Sequence, residues 1–483
     1  MKLQCKAWLC AIILVAFALF LLPSSASAQT RSAAESLDGQ WLTDGYGGFI
    51  ELQGDTLRRY EITTLSCIAL AKASSKTGAI NANEAVFVDD DGVTFRVSPA
   101  ASAGTRWLHE DGNVSNILLR RSSSRPEPCG KPLSDTPLTN YQVFWETFAE
   151  HYPFFALRHM DWVAVDKKFR PQVTLDTKPE ELFRIFNDML DPLHDAHTKI
   201  HAWSIQKHFH GFRPSADFMQ EKNAARITEI IETKYVRGGL HDFCNKQLQF
   251  GLLRSSPHAM STDSKGGVQT DGIGYLRIHS FDDYSNDREF MKQLDTLELA
   301  LDDIFKDCTK LTGLVIDVRI NGGGSDVFGI SIASRLATEE YLAYAKVARN
   351  DIRDPDHRTP PQRFFVHVSQ RPGFRGPVVL LTSADSISAA ETFTMALLGR
   401  DPHVVRVGAN TQGVFSDVLA RTLPNGWTFG LPNEIYLTKD GEAFDGIGVP
   451  PDIEVPIFST KDLTDGRDSA LDKALELLPH KAR

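Results

Sequence analysis

The second half of the chain alternates between apolar segments of strand length and helical patterns. Gly272 opens the strand-like segment GIGYLRIHSF, a helical pattern follows, and GLVIDV then has the character of a buried strand. PVVLLTS, a short helix and HVVRVG continue the same order. Such alternation is typical of an α/β domain with a largely parallel sheet, whose sites gather at the carboxyl ends of the strands. We predict an α/β core over residues 271–460 and a C-terminal helix over 461–483.

The first half of the chain predicts smaller units of a different kind. Residues 29–119 contain Gly-Asp and Asp-Gly turns between strand-like runs, which predicts a small antiparallel β domain. Residues 120–132 are rich in Ser, Pro and charge and are interpreted as a linker. A helical region over 133–202 follows, with its clearest helix, KPEELFRIFNDMLDPL, behind a predicted Thr177 cap. Residues 203–270 are polar and are interpreted as an unassigned insertion or subdomain.

The amino terminus has the pattern of an export signal. Two lysines precede an apolar run from Ala7 to Leu22, and the small residues Ala26-Ser27-Ala28 follow. This pattern predicts a signal peptide over residues 1–28, and an uncleaved membrane anchor is the alternative. We therefore expect an exported protein, periplasmic or secreted, with no stable membrane span after cleavage.

Removal of that leader leaves Cys67, Cys129, Cys244 and Cys308. In an exported protein these four residues could form disulfides. Pairing Cys67 with Cys129 and Cys244 with Cys308 keeps each bridge within one region, and the two other connectivities stay open. None of the four has the spacing of a metal finger.

The charge balance limits the classes of partner. The chain has 52 Lys and Arg against 62 Asp and Glu, a formal net charge of -10. Such a chain has no basic field that would gather a polyanion. We therefore expect no nucleic-acid partner.

The turn after the strand PVVLLTS is the first candidate site. Ser388 stands at this strand-to-helix junction, where helix-start amides and the helix dipole can stabilise negative charge on an attacked carbonyl. The position therefore suits a serine nucleophile in acyl transfer. Ser388 and Glu391 also form a capping-box sequence, so a purely structural role is the alternative.

Three successive glycines, Gly322 to Gly324, directly follow the segment containing GLVIDV. Glycine lets the backbone approach a ligand closely and can point amide N–H groups into a concavity, which would supply an oxyanion hole. A tight turn is the alternative explanation. The segment is not GxGxxG and lacks the Walker lysine, so nucleotide binding explains it poorly.

A histidine cluster and an acidic loop supply the other candidates. His194, His197 and His201 lie in LHDAHTKIH, and one of them could accept the proton of a serine hydroxyl. Alternatively, the three imidazoles could hold zinc. Glu442 and Asp445 lie in GEAFDGIGVPPD, where a carboxylate could orient the histidine of a serine triad or simply be solvated.

The order of these motifs is similar to that of a known family. DAHT, GIGYLRIHSF, DVRINGGG, SISAAE, GANTQG and FDGIGVPPDI together resemble the tail-specific, or C-terminal-processing, serine peptidases, and more closely their tricorn-core-like branch. The resemblance covers roughly residues 135–475. It implies a crotonase-like α/β core and a serine peptidase that acts on peptides or proteins without a metal or an organic cofactor.

The resemblance also implies individual roles. Ser388 matches the nucleophile, His197 the general base and Asp445 the acid, with Glu442 as the fallback acid. The backbone N–H groups of Gly323, or its neighbours, and of Ala389 would bind the oxyanion. The supporting residues would be Ser386, Glu391, Gly322 and Gly324.

Two features depart from the family pattern. The turn Gly408 to Gly413 is followed by Val414. The processing-peptidase branch has its lysine base at this position, so the sequence argues against a Ser-Lys dyad. Between His201 and Gly272 no carboxylate-binding loop of a PDZ module is recognisable. An inactive relative that binds peptides is therefore one alternative function, and a metal-dependent hydrolase using the histidine cluster is another.

Overall fold

The computed structural model describes residues 36–70, 73–81, 84–213, 221–254, 272–351 and 353–479. The predicted signal peptide lies outside these ranges. Every helix within them is too short or too polar to cross a bilayer.

The first part of the described chain is a closed antiparallel sheet. Its order is β2-β1-β9-β8-β7-β6-β5-β3-β4, and the pairing of β2 with β3 closes all strands except β4 into a barrel. Side chains alternate between the two faces, so that apolar residues fill the interior. The strands are β1 (Gly39–Thr43), β2 (Gly48–Gln53), β3 (Thr56–Ile62), β4 (Cys67–Ala69), β5 (Ser74–Asn81), β6 (Glu84–Val88), β7 (Thr94–Pro99), β8 (Thr105–Glu110) and β9 (Asn116–Ser122).

The segment interpreted as a linker begins inside this barrel. Arg120 and Arg121 pair with β1, so β9 continues to Ser122. The Ser and Arg residues of this segment suggested a linker rather than a strand. One face of a barrel strand meets solvent and tolerates such polar residues. The domain limits given above otherwise stay predictions.

Three helices follow the barrel, and they pack through aromatic rings. They are α1 (Pro137–His151), α2 (Trp162–Phe169) and α3 (Pro179–Leu190). The Phe144 ring of α1 stacks on Phe186 of α3 with ring centroids 4.1 Å apart. The predicted Thr177 cap is wrong: Lys178 is the N-cap of α3, and the Thr177 hydroxyl instead accepts a hydrogen bond from Thr174 N at 2.8 Å.

The remaining elements build the α/β part. They are β10 (Lys199–Ala202), β11 (Lys207–His210), α4 (Glu221–Ile230), β12 (Val236–Phe243), β13 (Leu248–Leu253), β14 (Gly272–Ile278), α5 (Phe290–Phe305), β15 (Leu311–Asp317), α6 (Asp326–Ser334), β16 (Tyr341–Ala348), β17 (Gln362–Val366), β18 (Val378–Thr382), α7 (Ala389–Ala396), β19 (Val405–Gly408), β20 (Val418–Thr422), β21 (Thr428–Pro432), β22 (Glu434–Leu437), β23 (Ile453–Glu454), α8 (Thr460–Asp465) and α9 (Ser469–Leu477).

The main sheet has the order β12-β13-β14-β15-β18-β19-β23 and is parallel from β14 to β23. Its central strands are apolar on both faces because helices cover both: Ile316 faces α5, α6 and α7, whereas Val315 faces α4 and α9. β12 and β13, from the segment left unassigned, extend the same sheet in antiparallel fashion. The predicted crotonase-like α/β class, with a helical segment and an N-terminal β domain, is confirmed.

Two small sheets, β11-β10-β21-β20 and β17-β16-β22, connect the main sheet to the other parts of the described chain. Strand β10 directly follows the predicted base His197. Its partner β21 packs against the aromatic side chains of α1, with Phe429 and Phe144 ring centroids 5.2 Å apart.

One of the two disulfides considered above is present. Cys67 of β4 is bonded to Cys129, whereas Cys244 and Cys308 are free. Pairing of Cys244 with Cys308 is therefore wrong. Cys244 lies in the turn between β12 and β13 and Cys308 in the turn after α5; both pack against the apolar core as small hydrophobic side chains.

Candidate active site

Ser388 lies at the N-cap of α7 in a strained conformation. Its φ of 59° and ψ of -120° are rare for a residue with a side chain. Hydrogen bonds hold the turn from both sides: Ile387 N donates to Asn321 O at 3.1 Å, and Ser388 N donates to Val414 O at 3.2 Å. The predicted supporting residue Ser386 is buried and donates to Val318 O at 2.7 Å, at the end of β15. The neighbouring strands therefore fix the serine.

The glycine segment lies directly against Ser388. A Cβ at Gly323 would stand 2.7 Å from Ser388 Cβ, and φ at Gly323 is 90°, so only glycine fits there. The Gly323 N–H, however, already donates to Asn321 Oδ1 at 2.9 Å. Within the described residues, the N–H groups of Gly324 and Ala389 have no hydrogen-bond partner. These two amides are the donors free to meet a ligand beside Ser388.

Glu391 anchors the start of α7, and its capping box with Ser388 is present. The side chain is 0 % exposed. Its carboxylate accepts hydrogen bonds from Thr411 Oγ1 at 2.6 Å, Gly413 N at 2.6 Å, Val414 N at 2.8 Å and Ser388 N at 3.2 Å. Burial raises the pKa of Glu391 to about 7, although these donors oppose the rise. Glu391 thereby ties Ser388 to the segment between β19 and β20, here named the 411–417 loop.

Successive residues of the 411–417 loop contact the three predicted catalytic residues. Val414 O accepts the hydrogen bond from Ser388 N. The backbone of Phe415 lies beside the Asp445 carboxyl and lowers its pKa, and the backbone of Ser416 lies beside the His197 ring and raises its pKa. The loop therefore gathers Ser388, His197 and Asp445 around one short segment. Among the described residues, no hydrogen bond joins the side chains of these three directly.

The three histidines of the cluster lie in different surroundings. His197 is 8 % exposed, whereas His194 is exposed against the ring of Phe212, and His201 lies on β10. Burial lowers the pKa of His197 below its usual value, although Asp195 and Asp417 oppose the shift. In the described ranges, no group of three or more His, Cys, Asp or Glu residues could hold a metal ion. The zinc alternative therefore has no ligand set there.

Asp195 holds His197 in place, and sequence reasoning missed it. Its Oδ1 accepts from His197 N at 3.0 Å, and its Oδ2 accepts from Tyr152 OH at 2.8 Å. Arg158 lies 3.4 Å from the same carboxylate. The Asp-x-His spacing of DAHT, which allows a carboxylate to bond the amide two residues on, was the available signal.

The acidic loop brings only Asp445 to the site. Asp445 is buried and its Oδ2 has no hydrogen-bond partner, whereas Glu442 is exposed. Burial raises the pKa of Asp445 well above its usual value, and the carboxylates of Glu391 and Asp195 add to the rise. His197 Nδ1 is likewise buried without a partner.

A buried polar network lies behind the site, and nothing in the sequence motifs indicated it. Lys346 of β16 is 2 % exposed and contacts Asp417 at 2.6 Å and Glu434 at 2.9 Å. Glu434 also accepts from Tyr46 OH of the barrel at 2.6 Å. Burial opposes the charge of Lys346, but the neighbouring carboxylates raise its pKa above the usual value. The network joins the barrel to the 411–417 loop.

Comparison with known proteins agrees with the motif order. The model of peptidase family S41 matches residues 272–455, and that of the Tricorn protease C1 domain matches residues 135–191. A carboxy-terminal-processing protease of Bartonella bacilliformis is 27 % identical over 186 residues, which span 38 % of this chain and 38 % of that relative. The crystal structure of a candidate peptidase from Parabacteroides merdae is similar at a TM-score of 0.57 and 26 % identity, covering 72 % of this chain and 98 % of that one.

The matched ranges contain most of the site. The S41 range includes Ser388, Gly323 and Asp445, and the C1 range includes α1 and α3 of the helical segment that precedes His197. Residues 272–455 therefore match peptidase family S41, a family of tail-specific serine peptidases, and the chain resembles its tricorn-like branch.

Proposed function

We propose that this chain is a serine peptidase in which Ser388 is the nucleophile, His197 the general base and Asp445 the orienting acid. One observation carries the proposal: Val414, Phe415 and Ser416 follow one another and contact these three residues in turn. A triad is defined by such convergence and not by its order in the chain.

The reaction follows from these positions. His197 takes the proton of Ser388 Oγ, and the oxygen attacks the peptide carbonyl carbon. The amide N–H groups of Ala389 and of Gly324, the neighbour of Gly323, stabilise the oxyanion; loss of one such donor costs about 100 to 1,000-fold in rate. His197 then gives its proton to the leaving amine. Water activated by the same histidine cleaves the acyl-enzyme and regenerates Ser388.

Two unpaired atoms support the role of Asp445. His197 Nδ1 and Asp445 Oδ2 are both buried and without a hydrogen bond, and an unpaired buried polar atom costs about 1–3 kcal/mol. Pairing them would satisfy both atoms and stabilise the imidazolium formed during catalysis. We infer that this hydrogen bond closes when substrate binds, since catalytic hydrogen bonds often tighten only in the complex.

We also propose that the protein acts outside the cytoplasm. The amino-terminal pattern indicates export, and the Cys67–Cys129 disulfide suits an oxidising compartment. Fractionation of cells that produce the full chain, with amino-terminal sequencing of the product, tests this. We expect an extracytoplasmic product that begins after Ala28.

Digestion of a peptide mixture, read by mass spectrometry, tests the activity. Wild type is compared with Ser388→Ala and His197→Ala, each with and without chelator, and with the exposed-site controls Ser124→Ala and His403→Ala. We expect the cleavage rate of both site variants to fall by more than about 10⁴-fold. The two control variants should cleave at the wild-type rate, and chelator should have no effect. Cleavage that survives Ser388→Ala but stops with chelator would refute the serine mechanism.

The absence of a direct hydrogen bond between Ser388 and His197 favours one second candidate, an inactive relative that binds peptides. In that case no form of the protein cleaves any peptide. Wild type and Ser388→Ala would then bind peptides with equal affinity.

A further inference from the structure

A cavity of about 490 Å³ opens at the mouth of the barrel, between the barrel and strands β20 to β22. We name it the barrel-mouth cavity. Its apolar wall is formed by side chains of the barrel and of β20, among them Ile50, Phe95, Leu108, Ile117 and Val418. A cavity of this volume accommodates a ligand group, and barrel mouths are a common place for binding sites.

Two buried donors without acceptors border this cavity. Asn433 is 3 % exposed, and its Nδ2 has no hydrogen-bond partner. Arg421 is 8 % exposed; two of its nitrogens donate to the carbonyls of Ala420 and Tyr46, but its Nε has no partner. Because unpaired buried donors are costly, these positions suit an occupant that supplies oxygen acceptors.

The cavity shares Glu110, Asn113 and Asp417 with a second cavity of about 300 Å³, whose lining includes Gly324 of the candidate active site. Asn433 N and Glu434 N both donate to Ser416 Oγ, at 2.9 and 3.0 Å. Ser416 is the residue whose backbone contacts His197, and the next residue, Asp417, lines the cavity. A chain bound across the proposed catalytic site therefore has this cavity as a neighbouring recess.

The side chains that line the cavity restrict the class of ligand that it can bind. Glu61 and Glu110 also border the cavity, so a polyanion would be repelled, whereas amide N–H groups could donate to these carboxyls. An extended peptide carries apolar side chains, carbonyl acceptors and amide donors together. Such a segment matches the apolar side chains, the unpaired donors and the carboxyls of the lining.

We propose that the barrel-mouth cavity binds an apolar side chain of the peptide substrate, while backbone carbonyl oxygens of that peptide accept hydrogen bonds from Asn433 Nδ2 and Arg421 Nε. The inference rests on the proposed function, because the occupant is the substrate segment beside the cleaved bond. It makes the barrel part of the substrate-binding site.

Peptide binding to the full-length Ser388→Ala protein tests this without cleavage. The probes are two fluorescein-labelled decapeptides of alanine and serine, one with three central leucines and one with three central aspartates, and anisotropy gives the Kd. We expect tighter binding of the leucine peptide. Adding Asn433→Leu, which removes the donor at similar volume, should weaken that binding about tenfold.

Two further variants make the test specific. Ile117→Trp fills the cavity and should abolish the preference for the leucine peptide. Asn187→Leu is the matched control: Asn187 of α3 also has an unpartnered side-chain oxygen but does not line this cavity, so its Kd should not change. Thermal unfolding of each variant confirms that it is folded.

An unchanged Kd in both Asn433→Leu and Ile117→Trp, or equal binding of the two peptides, would overturn the inference. Parallel digestion with an intact Ser388 separates the two proposals. Binding that Asn433→Leu weakens, without cleavage by wild type, would support a peptide site at the cavity and refute the peptidase. Cleavage whose KM is unchanged by Asn433→Leu would support the peptidase and refute binding at the cavity.

Discussion

The main chain at Ser388 is held in a conformation that residues with side chains rarely adopt, and its neighbours are equally constrained. Any larger residue at position 323 would clash with Ser388 through its Cβ. His197 is fixed through its own amide by Asp195, which Tyr152 and Arg158 hold in turn. At the scale of single residues, the proposed base therefore owes its position to a buried carboxylate outside the proposed triad.

Asp195→Asn tests that positioning role. The Asp195 carboxylate raises the pKa of His197 against the stronger effect of burial, so its removal should lower that pKa further. The base must be neutral to act, so the acid limb of kcat/KM should move to lower pH. Misplacement of the imidazole should also reduce kcat by up to about 100-fold.

The pH profile of kcat/KM, together with NMR titration of the His197 ring, measures both effects. Asp188→Asn, an exposed aspartate of α3 paired with Arg184, is the control and should leave the profile unchanged. An acid limb that stays in place or moves to higher pH would contradict the assigned role.

At the scale of elements, α7 and the 411–417 loop form one unit through Glu391. Its carboxylate accepts hydrogen bonds from two backbone amides of the loop and from the amide of Ser388. Both of its oxygens are therefore engaged, Oε1 by the loop alone and Oε2 by the loop and Ser388. The capping box is structural, as its sequence suggested, and it also joins the proposed nucleophile to the loop.

Glu391→Gln should destabilise the fold in a pH-dependent way. An amide N–H₂ would face backbone N–H groups, at about 1–3 kcal/mol for each donor left unpaired. Wild-type Glu391 has its pKa raised from 4.5 to about 7, so its stabilisation is present below pH 4.5 and is lost as pH rises through about 7. The difference in free energy of unfolding should therefore be larger near pH 5 than near pH 8.

Urea denaturation at several pH values measures this difference. Glu476→Gln, on the exposed face of α9, should change the free energy of unfolding little at any pH. A Glu391→Gln variant as stable as wild type at pH 5 would show that the carboxyl does not hold the loop.

At the scale of the whole molecule, Lys346 connects parts that are far apart in sequence. Its ammonium group lies between Asp417 of the 411–417 loop and Glu434, which accepts a hydrogen bond from Tyr46 of the barrel. Asp326, at the start of α6, accepts from Thr392 of α7 at 2.7 Å and from Tyr436 at 2.8 Å. The barrel, α7 and the 411–417 loop therefore meet in one buried polar network.

Lys346→Met should cost about 3–5 kcal/mol in the free energy of unfolding, because it leaves the buried Glu434 and the partly exposed Asp417 without a cation. Lys473→Met, at an exposed pair with Glu476, is the control and should cost less than about 1 kcal/mol. Denaturant unfolding measures both. Equal stability of the two variants would mean that the network contributes nothing to the connection.

The Cys67–Cys129 disulfide closes the barrel onto the segment that leads to α1. Its sequence separation of 62 residues predicts a loss of about 4 kcal/mol when both cysteines are replaced by serine, since the unfolded chain regains the entropy of the opened loop. Thermal unfolding of the double variant tests this, with Cys308→Ser as the control. A Tm that reductant does not lower in wild type would speak against a stabilising bridge.

Patterns local to the chain were enough to predict the architecture. Alternating apolar strands and helices from Gly272 onward predicted the parallel core, and paired turn signals predicted the β2–β3 and β6–β7 hairpins. Periodicity and turn chemistry depend on neighbouring residues, so a single sequence contains them. The order of motifs likewise predicted the family.

Only the tertiary structure decided which of those motifs meet. DAHT and GEAFDG lie far apart in sequence, and the 411–417 loop contacts His197 and Asp445 as well as Ser388, whereas His194, His201 and Glu442 lie elsewhere. The free thiols of Cys244 and Cys308, the closure of the barrel and the burial of Lys346 were also invisible in the sequence. The physical reason is the same in each case: long-range packing determines which side chains lose contact with water, and therefore which polar groups must find partners.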